Sequence, residues 1–433
     1  MKPKILLTGL FATLLIAGAS LLTYVRAQNP RDKADSVAAS KIFVHTGFEN
    51  ASPMNWRIDS AGRVVGSLVY DHERFSRNRA VNHFHFRVEA AVGTEVTVIL
   101  ENFDNIWNNR FASDLSERSR FVVSFDNKKW ESRSIEVLPG APSGGVPSGG
   151  VPSGGAPSNR RMLFKFRMEA PYAYIASVEP YRISDLDKML TKIGKNKLAS
   201  ITTIGKTSEG RSLEIIRIGN ENAPKRLFLR ARAHAFEAGG NWTVEGLVQK
   251  LLSNDEESKR YLKRYCVYIL PMANKDGVAR GKTRFNANGY DLNRKWDKPA
   301  DEQIAPENYY LEQWLQEMIK ANKKPDLALD IHNDAGGNLH VSRPDGDITA
   351  YLAGMDKLES LLRKHTWFTE GATKASFRNP GTLGEGFLTR FGIYAAVYEL
   401  NYEWIKGLNK APLAADWLLL GNKLPEVFYH YFE

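Results

Sequence analysis

The spacing of apolar residues changes near residue 180, and each half of the chain predicts a different kind of structure. Before that point, short runs of β-branched and aromatic residues are separated by turn residues, which is the pattern of strands in a sandwich. The runs are Lys41–His45, Phe84–Val88, Glu95–Leu100, Phe121–Phe125, Met162–Phe166 and Tyr172–Ala176. We therefore predict an all-β sandwich domain over residues 40–180.

After residue 180 the pattern is mixed. Asp185–Lys195 is predicted to form a helix, and Arg226–Arg230 a buried strand that opens onto an amphipathic helix at Trp242–Leu252. Further apolar strand patterns cover Leu327–Ile331 and Ile393–Tyr398. Strand ends that open onto helices are where open α/β sheets bind ligands. We predict an α/β domain over residues 181–433, with its site at these strand ends.

Residues 140–158 form a low-complexity segment in which Gly-Gly-Val-Pro-Ser recurs, with Ala in place of Val in the last copy. Gly, Pro and Ser at this density cannot build a core or a regular ladder. We predict a flexible surface loop that connects two strands of the sandwich.

The first 27 residues combine two early lysines, an apolar run from Ile5 to Val25 and a small residue, Ala27, that suits cleavage. This is the pattern of a signal peptide, which we predict over residues 1–27. The run is also long enough to span a bilayer, so a retained anchor is the alternative. In both cases the rest of the chain is predicted to be exported, to a periplasmic or extracellular compartment.

Charge and cysteine content narrow the choice of partners and setting. The 433 residues carry a formal net charge of +10, which falls by three to +7 once the three basic residues of the N-terminal segment are removed. The remaining basic residues are spread out, so no nucleic-acid partner is expected. Cys266 lies in an apolar strand pattern and has no partner for an intrachain disulfide. In an exported protein, this favours a bacterial setting.

His234 and Glu237 follow the predicted strand at Arg226–Arg230. A histidine nitrogen and a carboxylate oxygen at this spacing can bind one metal ion, and the pair suits zinc. His332, at the end of Leu327–Ile331, completes a His₂Glu set. Three protein ligands leave one coordination position open, which is typical of a catalytic zinc site. We predict one Zn²⁺ per chain at this place.

Asp291 is predicted to accept a hydrogen bond from the second ring nitrogen of a ligand histidine and so to fix its tautomer. His83 and His85 flank Phe84 in a strand pattern and could chelate a metal from one face. No third ligand lies near them in the sequence, so we expect them to be solvated strand residues.

Four motifs in this order resemble those of the zinc carboxypeptidases. They are His234-x-x-Glu237, Asp291-Leu-Asn-Arg294, His332, and Glu399 within Val397–Tyr402. The resemblance is closest to the cytosolic carboxypeptidase branch, which has Trp-x-x-Glu-Gly after the metal motif, here Trp242 to Gly246, and a β-sandwich before the catalytic domain. It covers about residues 180–433 and implies a carboxypeptidase-like α/β catalytic domain, with a mixed central sheet and helices on both faces.

The resemblance also implies a role for each matched residue. The zinc ligands would be His234, Glu237 and His332. Glu399 would act as the general base on the attacking water and then as the acid to the leaving amine. Arg284 would stabilise the oxyanion of the tetrahedral intermediate, and Asn293 and Arg294 would bind the terminal carboxylate of the substrate. The implied function is a zinc-dependent metallocarboxypeptidase acting on peptide or protein C-termini.

Some positions depart from that branch but leave the zinc ligands in place. Ala235 and Phe236 replace a common Pro-Gly between the first two ligands, and Asp334 replaces a second histidine near the third. The stretch Gly381–Gly386 has no arginine where glutamate-cleaving members carry one, and it contains Glu385. We therefore expect no strong preference for a C-terminal glutamate, because its second carboxylate would lack a cationic partner.

Two alternatives stay open at this level. The same site could act as a zinc amidohydrolase on an isopeptide or a non-peptide amide. The chain could also be a non-catalytic binding protein that recognises a surface polymer through the β-sandwich. No stable membrane insertion is expected unless the N-terminal segment is retained as an anchor.

Overall fold

The computed structural model describes residues 41–113, 115–140, 157–373 and 381–433. The predicted signal peptide, residues 1–27, and most of the predicted loop at 140–158 lie outside the described residues. In the described part of the chain, no helix has the length and apolar character needed to cross a membrane.

The first described strands build a β region, residues 41–180. Its strands are β1 Phe43–His45, β2 Met54–Ile58, β3 Val64–Leu68, β4 Asp71–His72, β5 Arg79–Ala80, β6 His85–Glu89, β7 Glu95–Glu101, β8 Asp104–Trp107, β9 Arg110–Ser113, β10 Arg120–Ser124, β11 Glu131–Ser134, β12 Glu136–Leu138, β13 Arg161–Arg167 and β14 Tyr172–Ala176. They form two five-stranded sheets, β1-β6-β14-β10-β11 and β12-β13-β7-β3-β2, and a four-stranded sheet, β4-β5-β8-β9.

The two five-stranded sheets bury one face each in a shared core. Side chains alternate along β13, so that Met162, Phe164 and Phe166 are buried while the residues between them are not. The ring of Phe164 stacks on that of Phe121 in the other sheet, with centroids 4.1 Å apart. The predicted all-β character of this region is confirmed.

The α/β region, residues 181–433, follows. Its elements are α1 Ile183–Ile193, β15 Ala199–Lys206, β16 Ser212–Ile218, β17 Lys225–Ala231, α2 Ala238–Leu251, α3 Glu256–Arg264, β18 Tyr265–Leu270, α4 Lys275–Ala279, α5 Pro306–Lys320, β19 Leu327–Asp334, β20 Asn338–Val341, α6 Thr349–His365, α7 Leu383–Phe391, β21 Tyr394–Asn401, a 3-10 turn at Lys406–Leu408 and α8 Ala414–Tyr431. The seven-stranded sheet has the order β15-β16-β18-β17-β19-β21-β20. Strands β18, β17, β19 and β21 run parallel, and the outer strands pair antiparallel.

Alternation along the central strands gives the sheet two apolar faces. Leu229 and Leu329 belong to the core shared with α2, α6 and α8, whereas Phe228 and Ala328 belong to the core shared with α5 and α7. The predicted fold class, a mixed central sheet with helices on both faces, is confirmed. Because side chains alternate, the face of Phe228 and Ala328 also carries the polar residues at the carboxyl ends of the strands.

The described residues belong to one compact unit, Lys41–Glu433. Within it, the β region forms hydrogen bonds to the loop after α4. Asp71 Oδ2 accepts hydrogen bonds from the backbone amides of Arg284 and Phe285, at 2.9 and 2.8 Å. The hydroxyl of Thr283 accepts from the amides of Asn82 and His83, at 3.1 and 3.2 Å. The domain boundary near residue 181 stays a prediction.

The expectation that His83 and His85 are solvated is wrong, because the structure buries both. His83 Nε2 lies 2.9 Å from the carbonyl oxygen of Asn50. The side-chain amide of Asn50 in turn donates a hydrogen bond to the backbone carbonyl of Val278 in α4, at 3.0 Å. Packing of the β region against α4 therefore covers these histidines, and burial lowers the pKa of His83 to about 4.

Helices α2 and α8 cross closely because glycines occupy the contact. A Cβ added to Gly246 would lie 2.2 Å from the carbonyl oxygen of Leu418, and one added to Gly421 would lie 2.0 Å from that of Thr243. Both neighbours are backbone atoms, so neither contact can be relieved by a side-chain rotation. The glycine that ends the Trp242–Gly246 motif therefore has a packing role.

Replacing Gly246 with alanine should destabilise the protein by at least about 1–3 kcal/mol, because the two helices must separate to admit a methyl group. Urea denaturation followed by tryptophan fluorescence measures the change. Gly47→Ala is the matched control, since an added Cβ there meets nothing within 4 Å, and it should stay within roughly 1 kcal/mol of the parent. Equal stability of the two variants would contradict the proposed close crossing.

Candidate active site

The turn between β17 and α2 carries His234 and Glu237, and Glu237 is the residue immediately before the first turn of α2. Arg232 starts this turn in a left-handed backbone conformation with φ 61°. Its buried guanidinium donates to the carbonyl of Ala235 at 2.8 Å and to the side chain of Asn241 at 2.9 Å. Arg232, which the sequence did not single out, therefore fixes the bend that presents the first two predicted ligands.

The structure brings the three predicted zinc ligands together. Glu237 Oε1 lies 2.7 Å from His234 Nδ1, and Oε2 lies 2.9 Å from His332 Nδ1. The two Nδ1 atoms are 3.1 Å apart. Two nitrogens bound to one tetrahedral zinc at about 2.0–2.1 Å lie roughly 3.3 Å from each other. The residues present, all buried, therefore fit a zinc ion.

In each ligand histidine, the ring nitrogen that does not face the cluster, Nε2, lies within hydrogen-bond distance of a carboxylate. His234 Nε2 lies 3.1 Å from Asp291 Oδ1, which is the placement predicted for Asp291. His332 Nε2 lies 2.7 Å from Asp330 Oδ2. Asp330 was not among the residues predicted from the sequence, although it lies two residues before His332 on the same strand and therefore shares its face.

Two arginines, the buried Arg230 and the partly buried Arg284, balance these carboxylates. Arg230 Nε donates to Asp330 Oδ1 at 2.7 Å, and Arg284 donates to Asp291 Oδ2 from both Nε and Nη2 at 2.8 Å. Burial acts to raise the pKa of Asp330, but Arg230 and His332 outweigh it and hold that pKa well below its usual range. Each outer carboxylate is thus kept ionised, as a strong acceptor for its histidine.

The inner carboxylate is also ionised. Burial acts to raise the pKa of Glu237, but the adjacent His234 and His332 lower it to about 2. The pKa values of three carboxyl groups, those of Glu237, Asp291 and Asp330, are lowered, so these groups are ionised. They outnumber by one the two guanidinium groups paired with the site, those of Arg230 and Arg284. A bound cation would compensate that excess.

Glu399 lies on β21 directly beside His332 on β19 in the sheet register. Burial, together with Glu237 and Asp334, raises the pKa of Glu399 to about 8, although His332 and Arg284 oppose the change. Its Oε2 is buried and has no hydrogen-bond partner among the described residues. A carboxylate with a free acceptor oxygen and a raised pKa is well placed to exchange a proton, and a bound cation would lower that pKa.

The structure places Arg284 and Arg294 in one cleft with Glu237 and Glu399, and the cleft has a volume of about 550 Å³. Asn293 is not among the described residues that line it. Asn293 is buried, and its side-chain oxygen accepts a 3.0 Å hydrogen bond from the amide of Leu383 at the start of α7.

The β region forms one wall of this cleft, which the sequence did not predict. The wall residues are Ala80, Asn82, Asn105 and Trp107. The guanidinium of Arg284 lies over the ring of Trp107, 4.8 Å from its centroid. The β region therefore contacts Arg284 twice, through Trp107 at the side chain and through Asp71 at the backbone.

Residues 186–325 match the family model described as zinc carboxypeptidase. The match contains His234, Glu237, Asp291 and Arg294, and it ends before His332. This part of the chain is therefore similar to the zinc carboxypeptidase family, as its motifs predicted.

Three proteins illustrate the similarity. An uncharacterised protein of Zymomonas mobilis is 25% identical over 252 residues, which are 58% of this chain and 58% of that protein. Cytosolic carboxypeptidase 1 of Mus musculus is 34% identical over 106 residues, 24% of this chain and 9% of the mouse protein. A metallo-carboxypeptidase from Burkholderia cenocepacia shares the fold, with a TM-score of 0.74 and 19% identity over 90% of this chain and 98% of its own. The chain thus spans about half or less of these two curated relatives.

His332→Ala should lose zinc from this site, because removal of one of three ligands leaves two that do not suffice for tight binding. Zinc in the purified variant, measured by elemental analysis after gel filtration from metal-free buffer, checks this. Glu399→Gln is the matched control, since it alters a neighbouring buried carboxyl without removing a predicted ligand. A full complement of zinc in His332→Ala would contradict the ligand assignment.

Proposed function

We propose that this protein is a zinc-dependent metallocarboxypeptidase that removes C-terminal residues from peptides or proteins. The observation that carries the proposal is the shared cleft, in which Glu237 of the His-Glu-His cluster lies together with Glu399, Arg284 and Arg294. Peptide hydrolysis needs a base, a charge-stabilising group and a means of orienting the substrate. One side chain of a suitable type is present for each.

Glu399 is the proposed proton carrier. Its buried Oε2 lacks a partner among the described residues, so it can accept a proton from the attacking water and then donate it to the leaving amine. When bound, zinc would supply Lewis-acid polarisation of the scissile carbonyl. Arg284 would donate to the oxygen that becomes negative, and Asp291 holds its guanidinium in a fixed orientation through two contacts.

Arg294 is the proposed group that binds the terminal carboxylate. Its side chain is exposed in the cleft, and its Nη1 donates to the carbonyl of Asn293 at 2.8 Å. Within the described chain, no carboxylate lies at ion-pair distance from this guanidinium, whereas Arg284 is already paired with Asp291. The charge of Arg294 is thus available to a substrate, and the planar guanidinium matches a carboxylate with two parallel hydrogen bonds.

We also propose export to a bacterial periplasm or to the extracellular space, which is supported by the sequence pattern of residues 1–27. Peptide C-termini in that compartment are the proposed substrates. No strong preference for a terminal glutamate is expected, and a glutamate-ending peptide belongs in any substrate panel.

Glu399→Gln should leave zinc content and thermal stability close to those of the parent but lower kcat by at least about 10²–10⁴-fold, because an amide of the same shape cannot carry the proton. Single-turnover hydrolysis of a chromogenic peptide measures the loss. Glu256→Gln, a change at a highly exposed carboxylate, controls for loss of charge and should be fully active. Normal turnover by a zinc-loaded Glu399→Gln protein would show that another group is the base.

Peptides that end in a free carboxylate should be cleaved with a kcat/KM roughly 10- to 100-fold above that of the matching carboxamides, which is the range expected for hydrogen bonds to a charged group. Arg294→Ala should remove most of this difference by slowing cleavage of the carboxylate form.

Lys295→Ala is the matched control for Arg294→Ala, since it removes the adjacent cation, which is not among the described residues that line the cleft. This variant should keep the carboxylate preference. Equal cleavage of both peptide forms by the parent protein would reject the carboxypeptidase proposal and favour the amidohydrolase alternative.

A further inference from the structure

A second cluster of metal-ligating side chains lies where the end of α6 meets α8. It consists of His365, Glu426 and His430, and one ligand atom from each lies within 4.8 Å of the others. None of the three lines the cleft of the candidate active site. The cluster is therefore separate from the site already described and needs its own explanation.

Local geometry brings the three side chains together. Glu426 and His430 are four residues apart in α8, so they lie on the same face of that helix, one turn from each other. His365 is the last residue of α6. Its Nδ1 lies 3.3 Å from Glu426 Oε1, and its ring stacks on that of His430 with centroids 5.2 Å apart and planes inclined by 16°.

An ordinary ion pair does not account for this cluster well. The Nδ1 atom of His365 faces Glu426, whereas Nε2 of the same ring is buried and has no hydrogen-bond partner among the described residues. The stacked rings of His365 and His430 would also repel each other if both were protonated.

Two imidazoles and a carboxylate are a donor set that suits zinc and related divalent transition ions. The ligand atoms must move closer than 4.8 Å, to the roughly 3.3 Å separation expected around tetrahedral zinc. The side chains of Glu426 and His430 are 35% and 34% exposed, so both have room to rotate. Glu433 Oε2 lies 2.8 Å from His430 Nδ1, but its other oxygen, Oε1, lies 3.6 Å from Arg264 Nη1, and Glu433 does not belong to the three-residue cluster.

We propose that His365, Glu426 and His430 bind a divalent transition metal ion such as zinc. The site lies at the junction of two helices and away from the cleft of the candidate active site, so its role is structural rather than catalytic. The ion joins the end of α6 to α8, the helix that packs against α2 behind the active-site turn. This site is additional to the one zinc predicted at His234, Glu237 and His332.

The decisive measurement is the zinc stoichiometry of the full chain by equilibrium dialysis. The double variant Glu237→Gln/His332→Ala, which lacks two ligands of the candidate active site, should still bind one zinc. Adding His430→Ala to this double variant should weaken zinc binding by more than about 10- to 100-fold. That range is typical for the loss of a residue that only hydrogen-bonds to a metal ligand, so a larger effect indicates loss of a ligand itself. Adding His72→Ala, a change at an exposed histidine far from this cluster in sequence, should leave zinc binding unchanged.

The number of zinc ions is also measured in the protein with an intact candidate active site, so the result does not depend on how well the double variant folds. There, His430→Ala or Glu426→Gln should lower zinc from two ions to one, abolish the rise in Tm caused by added zinc beyond the first equivalent, and leave peptidase activity intact. Absence of a second zinc in the parent chain, or a second zinc that survives both substitutions, would overturn the proposal.

Discussion

The active-site region depends on a chain of contacts in which carboxylates alternate with arginine and histidine side chains. Its members are connected in the order Arg230, Asp330, His332, Glu237, His234, Asp291 and Arg284. An isolated buried charge is costly, whereas one with a partner on each side is tolerated. The chain links strands β17 and β19 to the loop after α4, so the same contacts that hold the sheet ends together also orient the candidate zinc ligands.

The ends of this chain are anchored differently. Arg230 lies fully inside the α/β region, where its guanidinium also donates to the carbonyl of Leu292 at 3.1 Å. Arg284 lies at the boundary with the β region, between the ring of Trp107 and the carboxylate of Asp71. The β region therefore contributes to the site in two ways: it forms a wall of the cleft, and it fixes the loop that carries the proposed oxyanion donor.

The two His-Glu-His clusters show how surroundings distinguish similar donor sets. In the first, Asp291 and Asp330 orient the histidines from behind, and the ligands are almost fully buried. In the second, the ligands lie on two helices and are partly exposed. Outer carboxylates on buried ligands pre-organise a site for catalysis. A partly exposed site at a helix junction is suited to holding two elements together.

The sequence by itself determined the features that follow from local periodicity. Alternation along strands gave the buried faces, the position of His332 at a strand end and the place of Glu399 on β21. Ordered motifs gave the metal ligands and Asp291. Asp330 was also accessible, because it shares a strand face with His332.

Tertiary structure alone decided the rest. Asp71 and Arg284 are 213 residues apart in sequence, and no periodic pattern relates Trp107 to the cleft or the cluster at His365 to α8. His83 was wrongly predicted to be solvated for the same reason. The sequence pattern of a strand does not show which face another region of the chain will cover. Periodicity reports which side of an element is apolar, whereas the partner that covers it is chosen by long-range packing.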